Sequence, residues 1–213
     1  MPVLQRILWC CVVVICASVV AACAPGIDDS KSLSALKSAN EGAAFLQISY
    51  GGLPCRTGNV ALATEAAPGR FQLYKTLMVG GMAASAALAP RQVSLPAGTY
   101  HIGYVACQSV GEMKYMMGVG EHDGSVVLGN PRQSLAKFTV SAGEAVNVGK
   151  LNLEPTDYLA DAARISVVDM APDAMQQLRA EAPALSSSLV TRLMTVTSPG
   201  KAYRIERAQI GLW

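Results

Sequence analysis

Met113, Met116, Met117 and His122 fall within ten positions of one another, and thioether and imidazole are the soft and borderline donors that suit copper. His101 and either Met78 or Met82 would extend such a set. The competing reading of Gly111 to Gly124 is a glycine-rich connection whose methionines pack beneath it. Packing is preferred, because the methionines do not repeat as a Met-x-x-Met array and the two histidines of the chain do not alone make a ligand spacing. No metal or other cofactor is therefore expected, and copper binding through Met113, Met116, Met117 and His122 stands as the alternative.

Nucleophile patterns are equally sparse. Ser34-Ala35-Leu36-Lys37 and Ser134-Leu135-Ala136-Lys137 both read Ser-x-x-Lys, which resembles the nucleophile pattern of penicillin-binding enzymes. Neither has a Ser-Asp-Asn or Lys-Thr-Gly companion, Ser198-Pro199-Gly200-Lys201 is not an equivalent, and so short a pattern recurs by chance. Gly118-Val119-Gly120 lacks the third glycine and the following helix that a phosphate cradle needs. With no Gly-x-Ser-x-Gly and no paired-carboxylate motif, the expectation is a protein that is not an enzyme.

The strongest local pattern is at the start. Met1 to Arg6 carries one basic side chain, Ile7 to Val20 is almost wholly apolar, and small residues follow at Ala21 and Ala22. That is the layout of a secretory signal, and the apolar run is shorter than the roughly 20 residues a spanning helix needs. Val20-Ala21-Ala22-Cys23 resembles the lipobox of bacterial lipoproteins, an aliphatic residue and two small ones before a cysteine. The resemblance implies a leader over 1–22, cleavage before Cys23, lipid on its thiol and an acylated new amino terminus. Several acyl chains hold where one is marginal, since each buried methylene contributes about 0.8 kcal/mol. Ala24, where an aspartate would favour the inner membrane of enterobacteria, implies the outer membrane and a periplasm-facing domain.

Of the six cysteines, Cys10, Cys11 and Cys16 would leave with that leader and Cys23 would carry lipid. Cys55 and Cys107 remain, and in an oxidising compartment they are expected to form a disulfide. Closing a loop of about 52 residues would contribute roughly 4 kcal/mol by chain entropy. A redox or metal pair is the alternative, without the Cys-x-x-Cys spacing in its favour. The 17 Lys and Arg less Arg6 nearly balance 15 Asp and Glu. No clustered basic face is seen, so a nucleic-acid partner is not expected.

The elements that must position these residues are mainly strands. Residues 23–42, with Pro25-Gly26 and Asp28-Asp29-Ser30, read as a flexible tether, and 43–213 as one domain. Strands are expected at Ala43–Tyr50 and Phe71–Val79, the first ending at Gly51-Gly52 in an irregular stretch that continues through Pro54-Cys55 and Thr57-Gly58-Asn59. Val93 and Leu95 precede Pro96-Ala97-Gly98, after which Tyr100, Ile102, Tyr104 and Ala106 alternate. Phe138 and Val140 precede Ala142-Gly143-Glu144, and Val146, Val148, Leu151 and Leu153 follow. These units resemble the strand, turn, strand element of transthyretin-like and carboxypeptidase-regulatory-like modules. With Ala162–Asp169 they imply an antiparallel β-sandwich of about seven strands.

Pro172, Asp173, Met175 and Leu178 start a helical pattern, and Leu185, Leu189 and Leu193 recur every four residues, so helices are expected across about 172–195. Lys201 to Trp213 would add an edge strand. The function expected is a lipid-anchored structural or protein-interaction module of the cell envelope, its partners the membrane and an envelope protein.

Overall fold

The computed structural model describes residues 40–80, 90–109, 115–123, 129–156, 161–181, 183 and 189–209. The leader, Cys23, nearly all of the tether, Ser34, Lys37, Met82, Met113 and Leu185 lie outside the described residues. The domain is mainly β. Strands β1 (Glu41–Tyr50), β2 (Leu53–Ala67), β3 (Arg70–Gly80), β4 (Arg91–Pro96), β5 (Gly98–Ser109) and β6 (Tyr115–Gly120) come first. Then follow β7 (Ala136–Val140), β8 (Ala145–Pro155), β9 (Ala162–Val168), helix α1 (Pro172–Glu181), β10 (Leu189–Thr191), β11 (Thr195–Val196) and β12 (Ala202–Gln209).

Hydrogen bonds carry the sheet through β5, β6, β12, β9, β8, β1 and β2, and β2 then pairs β5 again, closing a circuit. Strands β3, β4, β7, β10 and β11 flank that circuit. The enclosed core holds Leu46, Val60, Leu62, Ile102, Val105, Leu135, Val146, Leu151 and Leu153, all fully buried. Outside it, Ala43 and Phe45 of β1 and Ala145 of β8 pack with Met170, Met175, Leu178 and Leu189, so α1 covers this outer face. Pro172 opens the helix, Asp173 sits in its first turn and Arg179 in its last, as the peptide dipoles favour.

Four features differ from the expectation. Among the described residues the strands number twelve rather than about seven, and β8 runs parallel to both β1 and β10. The leucine stripe is not helical throughout: Leu189–Thr191 and Thr195–Val196 are strands, since the exposed edges of β8 and β7 offer hydrogen bonds to a segment rich in Val and Thr. The stretch from Pro54 to Asn59, expected to be irregular, belongs to β2, the longest strand among the described residues. The C-terminal strand is present as β12, but lies between β6 and β9 rather than at an edge.

Bulges redirect the alternation. Ala61 pairs Tyr104 while Leu62 pairs Ile102, leaving Gly103 as the extra residue. Tyr100, Ile102, Val105 and Cys107 consequently face the core, whereas Tyr104 and Ala106 turn outward. Tyr74 is likewise extra on β3, between Leu73 outside and Leu77 inside. On β8 the shift falls at Val148, supported by the fully buried Asn147, whose amide donates to Asp169 Oδ1 (2.8 Å) and whose Oδ1 accepts from Gly149 N–H (2.9 Å).

Both expected turns connect strands that do not pair with each other. Strand β4 bonds to β1, but β5 bonds to β2, β6 and β7; similarly β7 bonds to β5 and β8 to β1. The two arches meet the entering chain, with Ala97 N–H donating to Asn40 O (3.0 Å) and Gly143 N–H to Glu41 O (2.9 Å). Tyr100 Oη donates back to Pro96 O at 2.8 Å, fixing the first arch.

Gly58 lies where β2 approaches β5 so closely that a Cβ would overlap the Ala106 carbonyl oxygen. Urea unfolding of Gly58→Ala should show a loss of about 2 kcal/mol or more, as expected of overpacking against backbone. Gly143→Ala, where nothing lies within 4 Å but φ is +72°, should lose only about 1 kcal/mol.

Candidate functional site

The outward-turned residues of β5 are covered. Glu121–Asp123 and the segment from Gly129 to Leu135 bond to each other through Asp123 N–H to Asn130 O (2.9 Å) and Arg132 N–H to Glu121 O (2.9 Å). An Arg132–Asp123 ion pair joins them as well. A Cβ on Gly103 would overlap the Pro131 ring, so glycine is needed there for the flap to seat. Leu135 N–H donates to Ile102 O (2.7 Å), and Leu73 N–H to Asn130 Oδ1 (2.9 Å). Beneath the flap, Tyr104 packs with Ala61, Ala106, Leu73 and Met116, and the His122 ring meets it edge-on at 5.1 Å. Burial, and secondarily the Glu206 carboxylate, push the Tyr104 phenol up to about 12.

This arrangement separates the sulfur donors. Met116 and Met117 are neighbours on β6 and point to opposite faces: Met116 joins the outer cluster, while Met117 is 6% exposed and belongs to the enclosed core. Met78 is 43% exposed on β3, opposite Asn59. The structure therefore does not bring Met116, Met117 and His122 together, and Met113 and Met82 lie outside the described residues. Among the described residues no group of three or more His, Cys, Asp or Glu is placed to hold a metal. Cys55 of β2 and Cys107 of β5 are joined in a buried disulfide across 52 positions.

A different constellation forms at the lower edge of the flap. His101 projects outward from β5 between Ala63 of β2 and Lys137 of β7, only 7% exposed. Its Nδ1 lies 3.0 Å from Ser134 Oγ, and its Nε2 lies 3.9 Å from Glu65 Oε2. The Phe71 ring packs against the imidazole, centroids 4.9 Å apart. Glu65, 42% exposed on its side chain, is aimed by the β2–β3 turn, where Gly69 N–H donates to its Oε1 at 2.8 Å. Ser134 is held by its chain: its carbonyl accepts from the Thr197 hydroxyl, and Thr197 N–H donates to Leu135 O (3.1 Å).

The His101 imidazole is held below its usual value of 6.5, chiefly by burial, with Glu65 opposing and Lys137 reinforcing. It is neutral at pH 7, as a base must be. Sequence reasoning singled out Ser134 with Lys137 and His101 with the methionines, but not Glu65. Lys137 is instead the cross-strand neighbour of His101. Nothing in the spacing joins the three, because His101 and Ser134 are 33 positions apart and Glu65 is on another strand.

Because the folded state excludes the charged imidazole, this contribution to stability is fully present above pH 6.5 and is lost as pH falls below it. The His101 Hε1 resonance should titrate with a midpoint below 6.5. Urea unfolding from pH 7.5 to 5.5 should show a decline that His101→Gln reduces. No protein-family model, curated protein or solved structure matches the chain.

Proposed function

We propose that this chain is a lipid-anchored lipoprotein of the cell envelope, held through Cys23 at the outer membrane with its β-domain facing the periplasm, and that it serves as a structural or protein-interaction module. The observation that supports the reading best is the buried Cys55–Cys107 disulfide. Those two cysteines are the ones left over if 1–22 is a leader and Cys23 carries lipid, and disulfides persist in oxidising compartments. The entering chain bonds to both arches at Asn40 and Glu41. Seventeen residues from Ala24 to Asn40 would span at most about 60 Å when extended, so the arch end can stand well clear of the lipid surface.

The fold reading belongs to the same proposal. We read the domain as a sandwich akin to the transthyretin-like and carboxypeptidase-regulatory-like modules, elaborated by flanking strands. The arches at Pro96–Gly98 and Ser141–Glu144 support it, since each carries the chain between strands that do not pair. So does the Tyr100 bond back to Pro96 O, which resembles the tyrosine corner of β-sandwiches. The second arch is clamped from the C-terminal segment by Arg192, whose guanidinium donates to both Glu144 carboxylate oxygens. That contact holds the Glu144 carboxyl below the usual carboxylate range.

Radiolabelled palmitate should enter the wild-type chain and not Cys23→Ser, which should also leave the membrane fraction; equal labelling of the two removes the anchor. Intact mass after alkylation without reduction should show Cys55 and Cys107 unmodified. A photo-cross-linker at the exposed Tyr74, Leu53 or Val190 should yield a discrete adduct with an envelope protein at one of these positions. Monomer alone at all three would contradict the interaction role.

A further inference from the structure

The His101 cluster has the parts of a nucleophilic site, which the expectation of a non-enzymatic protein did not include. Glu65 is restrained by Gly69 N–H, and its free oxygen faces His101 Nε2 at 3.9 Å. A carboxylate there favours the tautomer with hydrogen on Nε2, leaving Nδ1 as the acceptor toward Ser134. The Ser134 hydroxyl hydrogen then has two acceptors in reach, Ala136 O at 3.1 Å and His101 Nδ1 at 3.0 Å. Nucleophile within hydrogen-bond reach of a base, with the base oriented by a third group, is the arrangement that activates serine on unrelated folds. Ser134 is half-buried at the rim of the flap, and the Phe71 ring beside His101 offers an apolar wall.

We propose that Ser134, His101 and Glu65 form an acyl-transfer site for small carboxylic esters, with Ser134 as nucleophile, His101 as base and Glu65 as the positioning residue. Ser134 Oγ adds to the carbonyl carbon while its proton passes to His101 Nδ1. The tetrahedral species collapses, the bond to the alcohol oxygen breaks, and the alcohol leaves with the proton from Nδ1. Water, deprotonated by the same nitrogen, then adds to the acyl-serine and releases the carboxylic acid, restoring the Ser134 hydroxyl. No oxidant, metal or further co-reactant enters the balance. The site acts independently of the Cys23 anchor, so failure of either proposal leaves the other standing.

The test uses the full chain purified in detergent, with a fluorophosphonate probe read by peptide mass spectrometry and p-nitrophenyl acetate as ester. The expected result is one phosphonate per chain on Ser134 and ester turnover that falls at least about 100-fold in Ser134→Ala and in folded His101→Gln, the span that general-base loss covers. The groups facing His101 are Glu65 from β2, Lys137 from β7 and Ser134 from the flap. The labelling rate of the wild-type chain should therefore rise sigmoidally with pH about a midpoint below 6.5 and level off. Glu65→Gln, on an exposed residue, should move that midpoint down by removing the carboxylate that favours the charged imidazole. Absence of label, label elsewhere, labelling undiminished in a folded His101→Gln, or a rate that climbs with hydroxide without a plateau would each overturn the proposal. Where His101→Gln does not fold, the wild-type pH profile and Glu65→Gln decide it.

Discussion

Strand β12 is the seam that closes the circuit of strands. It pairs β6 through Ile205 opposite Val119 and β9 through Tyr203 opposite Ala163, joining two runs of strands that would otherwise each end in an open edge. Tyr203 and Ile205 are themselves buried in the enclosed core. A row of unpaired N–H and C=O groups on β6 or β9 would be both unsatisfied and open to pairing with other chains. Closure removes those two edges, and it permits an interior lined by Leu, Ile and Val with few polar groups. Among the described residues the fully buried polar ones are Asn147 and Ser49, and each has a side-chain partner outside that interior.

With the circuit closed, the two outer faces still need cover. One receives α1, through Met170, Met175 and Leu178 against Ala43 and Phe45. The other receives the flap, through Pro131 on Gly103 and the aromatic contact of His122 with Tyr104. The flap exists to bury Tyr104 and Ala106, which the bulge at Gly103 turned outward. Its descent into β7 through Leu135 then sets Ser134 against His101. Thus one extra residue in β5 leads, through packing alone, to the only serine–histidine contact among the described residues. The disulfide reinforces the same pair of strands from the other side of the sheet, since Cys55 and Cys107 tie β2 to β5 within the core.

The parts legible in the sequence were those with local causes. Apolar alternation marked β1, β8 and β9, the Pro-x-Gly and Ala-Gly turns marked the arches, and Pro172 and Asp173 marked the helix start. What was not legible had tertiary causes. Strand β2 looked irregular because Pro54, Gly58 and Asn59 are turn formers, yet Gly58 is there to let β5 approach. Strand β6 looked like a loop because Gly118 lies under the Tyr104 hydroxyl. The parity of Tyr104 and Ala106 was misread because a bulge leaves no compositional trace beyond one glycine. Leu189 and Leu193 kept a helical spacing by coincidence, and hydrogen bonding to β8 overrode it. Of the site, the sequence offers Ser134 only within a Ser-x-x-Lys pattern that recurs by chance and His101 only as an extension of the methionine set, and Glu65 draws no notice because an exposed glutamate near a turn is ordinary.

Closure by β12 should hold the whole domain in one cooperative unit, which native-state hydrogen exchange can measure. Amides deep in cooperative structure open only with global unfolding, whereas edge strands exchange by local fraying. The backbone amides of Tyr203, Ile205 and Glu206 should exchange with the same opening free energy as those of Ile102 and Leu151. Rapid exchange of the three β12 amides while Ile102 and Leu151 stay protected would contradict it.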